Sequence, residues 1–482
     1  MTANLVANAE ENENSRFLSG VKWEVETELS LSQGEHTPFW LTANRYGLGS
    51  AKKNEGFVRA EIEKKIPLGT KRVEWGFGAD LVGSWRSEAP FLARQLYVAG
   101  AYRAFEVSLG SRIFHDRLVN QRLSTGDMVF SGNSLPIPQL RIEMPRYLNV
   151  PGFNGWWGLK GYFSYGIFSD SRWQKTAADT IGMYNKNVLF HSKGIRFRIG
   201  RPDKFPLELE FGLDNAAQFG GKVMIGDSVV VNFPNGVKDF FKVLIPMSGG
   251  DDSPKVDQTN ITGNHVGEWS ARLNFTPSSD WAIGLYWLHY FDVQSMIFWE
   301  YPWKDGLWGV EAKLPRNRFV STFVYEYLNT CDQSGPVYWD KTDLVPTQVS
   351  GRDDYYNHAY YRGWQHWGMG IGNPMVISPV YYSDSAISFK CNRIKTHHFA
   401  MEGSPLEWLD YRIIMSYTRG WGTYKHPLPT VLSNFNMLFE AGVRSARLPG
   451  WKARVAVGVD RGHLLGHSFG ASLTISRSGI FK

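Results

Sequence analysis

Long segments of this chain alternate strictly between apolar and charged residues. Val21, Trp23, Val25 and Thr27 share one side of a segment whose other side is Lys22, Glu24, Glu26 and Glu28. The pattern returns at 57–66, where Val58, Ala60, Ile62 and Ile66 oppose Arg59, Glu61, Glu63 and Lys65. It returns again at 105–113, 207–214 and 451–460; in the last, Trp451, Ala453, Val455, Val457 and Val459 oppose Lys452, Arg454 and Asp460. Successive strand side chains point to opposite faces, so each segment reads as a strand with one apolar and one charged face. Convincing helical periodicity is scarce. The segments run to about ten residues, against five or six for a typical soluble strand. About ten residues of tilted strand cross a bilayer.

The connections alternate in length. Tight ones include Gly69–Lys71, Gly200–Lys204, Thr276–Asp280, Pro315–Asn317, Ser404–Glu407 and Leu448–Gly450. Long ones lie near 31–54, 115–135, 169–190, 219–265, 293–305, 330–393 and 420–433. Short turns on one side and long loops on the other are the signature of an outer-membrane barrel, here with roughly 18 antiparallel strands. Tyr and Trp cluster near the predicted strand ends, where interfacial girdles sit, and aromatic residues make up 15% of the chain. A soluble propeller would show blade repeats of about 40–50 residues, and none is found. The sequence is therefore read as all-β, with a polar N-terminal lead-in over 1–19 and a single transmembrane β-barrel over 20–482.

Composition narrows the alternatives. The net charge of +6 is small and not clustered, which argues against nucleic acid as the main partner. Two cysteines make neither a disulfide scaffold nor a four-thiolate metal site. No apolar run is long enough for a transmembrane helix. The first fifteen residues, Met1 to Ser15, lack the basic and apolar regions of a secretory signal, which is expected to have been removed from an outer-membrane protein.

With apolar faces toward lipid, the charged faces meet the lumen. They are mixed in sign: Glu24, Glu26, Arg59, Glu61, Glu106, Arg112, Arg196, Arg198, Glu208, Glu210, Glu268, Arg272, Arg412, Arg444, Arg454 and Asp460. Acids and bases sharing one low-dielectric space pair and cross-link the wall, whereas an ion-selective pore carries one dominant sign. An occluded lumen is expected, with a plug from 219–265, from 330–393 or from another loop.

Two segments go beyond pattern. Residues 131–141 read SGNSLPIPQLR, and 353–374 read DDYYNHAYYRGWQHWGMGIGNP. Together with His36-Thr37-Pro38-Phe39-Trp40, they closely resemble the capsule assembly protein family called Wzi, in the branch found in Bacteroidetes-type Gram-negative bacteria. The resemblance runs along most of the chain. It implies an outer-membrane barrel closed by loops and a plug, acting as a non-enzymatic lectin for capsular polysaccharide on the cell surface. No catalytic residues, metal or cofactor come with it. The expected partners are a capsular or surface polysaccharide and outer-membrane lipid, with the protein a monomer.

Candidate residues follow from side-chain chemistry. In Ser131, Gly132, Asn133, Pro136, Pro138, Gln139 and Arg141 the two prolines mainly set backbone shape. Asn133, Gln139 and Arg141 either bond a sugar or tie the loop to the lumen wall, and the structural role is favoured. The loop cluster Trp339, Asp340, Asp353, Asp354, Tyr356, Asn357, His358, Trp364 and Trp367, with Trp299, Tyr301 and Trp303, combines flat rings with hydroxyl-binding groups. These are candidate glycan contacts on loops carried by a rigid scaffold, or else the small core of a packed plug. A channel or an outer-membrane hydrolase remain the alternatives, the latter without a serine motif to pair with His358. His397 and His398 would face opposite ways in a strand and make a poor metal pair. Cys331 and Cys391 flank the long 330–393 segment, and a disulfide between them would close about 60 residues, worth roughly 4 kcal/mol.

Overall fold

The computed structural model describes residues 19–481 apart from 88, 115–117, 179–181, 246–262, 279, 293–303, 316–318, 340–342, 344–348 and 383–386; over 334–339 and 349–352 it describes backbone only. Eighteen strands form one antiparallel sheet. In chain order they are β1 (Lys22–Gly34), β2 (Glu55–Lys64), β3 (Glu74–Trp85), β4 (Phe91–Tyr102), β5 (Phe105–Ser111), β6 (Gln139–Asn149), β7 (Trp157–Ile167), β8 (Leu189–Gly200) and β9 (Leu207–Phe219). There follow β10 (Asn264–Ser278), β11 (Trp281–Phe291), β12 (Gly306–Lys313), β13 (Thr322–Asn329), β14 (Ile394–Leu406), β15 (Leu409–Gly422), β16 (Pro427–Arg444), β17 (Trp451–Gly462) and β18 (Ser468–Ile480). Each pairs with its sequence neighbours, and β1 closes on β18 in unbroken register from Lys22↔Ile480 to Gly34↔Ser468. Among the described residues three short α-helices sit in loops: α1 (Phe39–Thr42), α2 (Ser171–Ala177) and α3 (Val237–Leu244).

Burial is inverted relative to a soluble protein. On β1, Val25, Leu29 and Leu31 are 47%, 46% and 57% exposed, while Glu26, Glu28 and Ser30 are 8%, 4% and 2% exposed. The same outward apolar set recurs around the wall at Val58, Ile62, Leu96, Leu109, Leu140, Ile195, Leu273, Leu285, Val455 and Leu473. An apolar belt of this extent is incompatible with water and matches the lipid face of a barrel. Trp75, Tyr102, Phe105, Trp157, Trp281, Trp408 and Trp451 ring the end that carries both termini and the short turns. That is an interfacial aromatic girdle. The protein is a transmembrane β-barrel of the outer-membrane type, with its termini at the periplasmic end.

The expected long loop at 420–433 is absent. β15 continues to Gly422 and β16 begins at Pro427, leaving only 423–426 between them. Pro427 occupies the first position of β16, where its missing N–H is harmless.

Inside, charges bridge strands of the wall, some of them neighbours and some two apart. Arg59 Nε reaches Asp80 Oδ1 at 2.9 Å and its Nη1 reaches Glu24 at 3.3 Å, while Arg94 holds the other Asp80 oxygen. Arg272 pairs with Glu311 at 2.7 Å, and Arg412 with Glu440 at 3.1 Å. Three loops, 35–54, 112–138 and 330–393, then fold inward. Their buried side chains, among them Phe39, Trp40, Leu123, Met128, Val129, Tyr355, Tyr361, Trp364 and Phe389, join inward-facing wall residues such as Tyr286, Leu288 and Ile414 in one hydrophobic core. The lumen is occupied by a plug made from these three loops. The described part of 219–265 forms a small sheet (Lys222–Ile225 and Ser228–Asn232 with Met183–Lys186) and α3, and its Val223 and Phe233 join the same core, Phe233 stacking on Tyr361 at 4.9 Å.

Cys331 and Cys391 are both free thiols, which corrects the expected disulfide. The Cys391 sulfur is turned against β15, where it accepts the Gly422 N–H at 3.4 Å.

Candidate functional site

The plug is seated by side chains of the wall that meet its backbone. Glu326 on β13 accepts the Thr125 N–H at 2.8 Å, the Thr125 hydroxyl at 2.7 Å and the Ser124 hydroxyl. Glu268 on β10 accepts the N–H groups of Met128 and Val129 at 2.8 and 3.1 Å. His398 on β14 contacts the Leu123 carbonyl at 2.7 Å, and Arg272 donates to the Leu118 carbonyl at 2.9 Å. His397 points the opposite way, toward Tyr325, as strand alternation requires.

The 131–141 motif divides into two parts. Ser131 donates to the Gly372 carbonyl at 2.6 Å, and Asn133 donates to the Gly370 carbonyl at 3.1 Å and to Ser378 at 3.2 Å. Gly132 passes its carbonyl to the Tyr46 N–H. These residues join loop 112–138 to the other two inward loops. After Pro136 and Pro138 the chain enters β6. Gln139 and Arg141 line a small internal cavity of about 120 Å³ between plug and wall, with Arg112, Arg196, Asp127 and Glu268. Arg141 pairs with Glu143 at 2.7 Å and lies over the Tyr162 ring at 3.6 Å.

The aromatic cluster is mostly plug interior. Tyr356 and Trp364 are wholly buried. The Tyr356 hydroxyl donates to the Met128 carbonyl, and Trp364 Nε1 donates to the Val129 carbonyl at 2.9 Å. In this packing neither ring offers a face to a ligand. Asn357 donates to Asp354 at 3.0 Å and to the Phe389 carbonyl at 2.8 Å, and accepts the Phe389 N–H at 2.8 Å, so its amide is occupied within the plug. Asp354 also accepts from Asn392 at 2.6 Å. His358 Nδ1 accepts the N–H groups of Tyr360 and Tyr361 at 3.2 and 3.4 Å. Burial, with Lys425 nearby, pushes the His358 pKa down to about 4, so the ring is neutral. Burial and the neighbouring Asp354 push the Asp353 carboxyl up to about 8. Trp299, Tyr301, Trp303 and Asp340 lie outside the described residues, as does the side chain of Trp339, whose backbone forms a short hairpin, Ser334–Trp339 with Val349–Arg352.

Among the described residues of that cluster, Trp367 lines the large cleft at the outer mouth. The cleft measures about 1130 Å³. Four segments build it: the 35–54 loop brings Lys52 and Lys53, the 86–90 turn brings Arg86, α2 brings Arg172 and Trp173, and the plug brings Trp367, Tyr381 and Tyr382. Trp367 is anchored through Nε1 to Ser169 at 3.3 Å and through its N–H to Asp170 at 3.2 Å. Trp173 is seated over Gly368, where an added Cβ would lie 2.4 Å from the indole and where φ is +79°. Among the described residues the cleft carries Lys52, Lys53, Arg86 and Arg172 and the acid Glu35. Flat rings beside cations are a surface for C–H faces of sugars and for acidic substituents. Sequence reasoning missed Trp173, Tyr381, Tyr382 and the four cations. They come from separate loops with no common spacing; the only local signals were the Arg172-Trp173 and Tyr381-Tyr382 doublets.

Comparison with known proteins extends the fold. The structure of Wzi, an outer-membrane protein involved in group 1 capsule assembly in Escherichia coli and described as a carbohydrate-binding β-barrel, superposes with a TM-score of 0.56. Identity is 12%, and the match covers 98% of this chain and 87% of that one. Acinetobacter baumannii OccAB2 matches at TM-score 0.48 and 9% identity over 96% of this chain and 98% of that one. Pseudomonas aeruginosa OccK5 (OpdH) matches at 0.47 and 8% over 95% and 97%. At these identities the likeness is one of fold. No protein-family model matches the sequence, and no curated protein does.

Proposed function

We propose that this protein is a non-enzymatic, Wzi-like carbohydrate-binding barrel that holds an acid-bearing capsular or surface polysaccharide at its outer mouth. The observation that carries the reading is the outward cleft in which Trp173, Trp367, Tyr381 and Tyr382 stand beside Lys52, Lys53, Arg86 and Arg172, set above a lumen occupied by hydrogen-bonded loops. Such a barrel works as an anchor: the wall fixes the protein in the bilayer, the plug gives the mouth a rigid floor, and the cleft meets the glycan. The similar fold of a carbohydrate-binding barrel supports the same reading.

The test is binding of detergent-folded protein to surface polysaccharide from its own strain, with polysaccharide from an unrelated strain as control. Saturable, strain-selective binding that is lost in Trp173→Ala/Trp367→Ala supports the lectin. Absence of binding together with stable single-channel conductance in planar bilayers replaces it with the channel.

A further inference from the structure

Strand parity sorts the outer ends of β7, β8 and β9. Phe163, Ile195 and Leu209 are outward-facing and 41%, 43% and 39% exposed to lipid. By the same alternation Tyr165, His191, Lys193, Ala217 and Phe219 also point outward, on the loop-side half of the wall. Yet Ala217 and Phe219 are fully buried. Helix α3 covers them from outside the barrel. Its Val243 packs with Ala217 and Phe219. Its Phe240 ring lies 5.1 Å from Tyr165 and 5.2 Å from Phe219. Tyr165 donates its hydroxyl to the Phe240 carbonyl at 2.7 Å, and Lys193 Nζ caps the helix C-terminus at the Val243 and Leu244 carbonyls, 3.2 and 2.5 Å.

Among the described residues nothing covers the opposite side of α3. Val237, Phe241 and Ile245, spaced four apart along one face, are 76%, 64% and 65% exposed. Lys238 and Lys242 lie along one edge of the stripe, Lys238 exposed and Lys242 half-buried within 3.7 Å of Asp239. The strands on which α3 docks carry outward Phe163, Ile167 and Ile195, exposed by 41%, 43% and 43%, and the docked positions Tyr165, Ala217 and Phe219 lie toward the loop-side ends of β7 and β9. An amphipathic helix with apolar residues on one side and lysines beside them is the form that lies in a membrane interface.

We propose that α3 is a lateral site for the anionic, phosphorylated glycolipid of the outer leaflet. Val237, Phe241 and Ile245 enter its acyl chains, and Lys238 and Lys242 meet its phosphates. The barrel would thereby carry an ordered lipid beside the polysaccharide cleft rather than only a generic annulus. The site rests on the bilayer embedding of the wall and is independent of the lectin reading.

The test uses full-length protein with Cys331→Ser and Cys391→Ser, folded and reconstituted in vesicles containing lipopolysaccharide. A nitroxide at Phe241→Cys is compared with one at lipid-facing Ile167→Cys, at the loop-side end of β7, and one at Lys53→Cys in the outer cleft. Accessibility to oxygen over a water-soluble nickel chelate should match the Ile167 label. A label as open to nickel as that at Lys53, or shielded from both reagents by protein, overturns the proposal. Ile245→Cys gives a second reading should the Phe241 variant fold poorly. Retention of lipopolysaccharide through purification, measured by mass spectrometry, should fall about fivefold per lysine in K238A and K238A/K242A. Unchanged retention overturns the phosphate contact.

Discussion

The seating of the plug on Glu326 makes a quantitative prediction. Its carboxylate is fully buried and receives four hydrogen bonds: Thr125 N–H and hydroxyl, the Ser124 hydroxyl, and Tyr286 Oη at 2.6 Å. Each hydrogen bond to a buried charge contributes about 1.5–3 kcal/mol, and donors left unpaired add desolvation cost. The four share one acceptor and do not add in full. Counting two effective bonds, Glu326→Ala weakens the 118–130 segment by about 4 kcal/mol, roughly a thousandfold in its opening equilibrium. Glu326→Gln keeps one acceptor oxygen and should lose roughly tenfold. Hydrogen–deuterium exchange by mass spectrometry reads this directly, because local opening sets amide exchange. Peptides spanning 118–130 should exchange far faster in the alanine variant while β16 to β18 stay unchanged. Exchange of 118–130 within about threefold of the wild type would refute the seating argument, as would a uniform acceleration across the wall.

Three further outcomes follow from single contacts. Gly368→Ala meets both a positive φ and the Trp173 ring, so it should unseat Trp173 and weaken polysaccharide binding by about tenfold while thermal unfolding of the barrel barely moves. Asp353 has a folded pKa raised to about 8, so its contribution is fully present below the unfolded carboxyl value and is lost as pH rises through about 8. Exchange protection of 353–361, corrected for intrinsic rates, should fall between pH 5 and about 9, and Asp353→Asn should abolish that slope. Burial and nearby Asp305 push the Cys331 thiol up to about 12, and burial raises Cys391. Both should resist alkylation at pH 8 in the folded protein, and denaturation without reductant should release two titratable thiols.

What was legible in the sequence is what repeats. Alternation such as Val25, Glu26, Thr27, Glu28 sets the face of every residue on a strand, and turn spacing sets the strand count, so the barrel could be read before any contact was known. The connection at 420–433 is shorter than its sequence suggests because the flanking strands extend to Gly422 and Pro427, which pair with each other. The plug was harder. Tyr356, Trp364 and Trp367 belong to one aromatic run, yet two are sealed inside and the third faces out. That choice is made by loop 112–138, which brings the Met128 and Val129 carbonyls to the first two. Contacts between segments so far apart in sequence leave no periodic trace. The outer cleft is less legible still, because four loops share its making.

The docking of the first loop bears on how the barrel is assembled. Phe39 N–H is held by Asp460 on β17 at 2.8 Å, and His36 N–H by Ser468 on β18 at 3.2 Å. Gly458 and Gly470, whose lack of a Cβ makes room for Pro38 and Leu41, lie on the same last hairpin. The 36–41 stretch of the first loop therefore gains these contacts only when the final two strands arrive, and those strands are also the ones that shut the wall against β1. Sealing the cylinder and completing its stopper are thereby tied to the same hairpin.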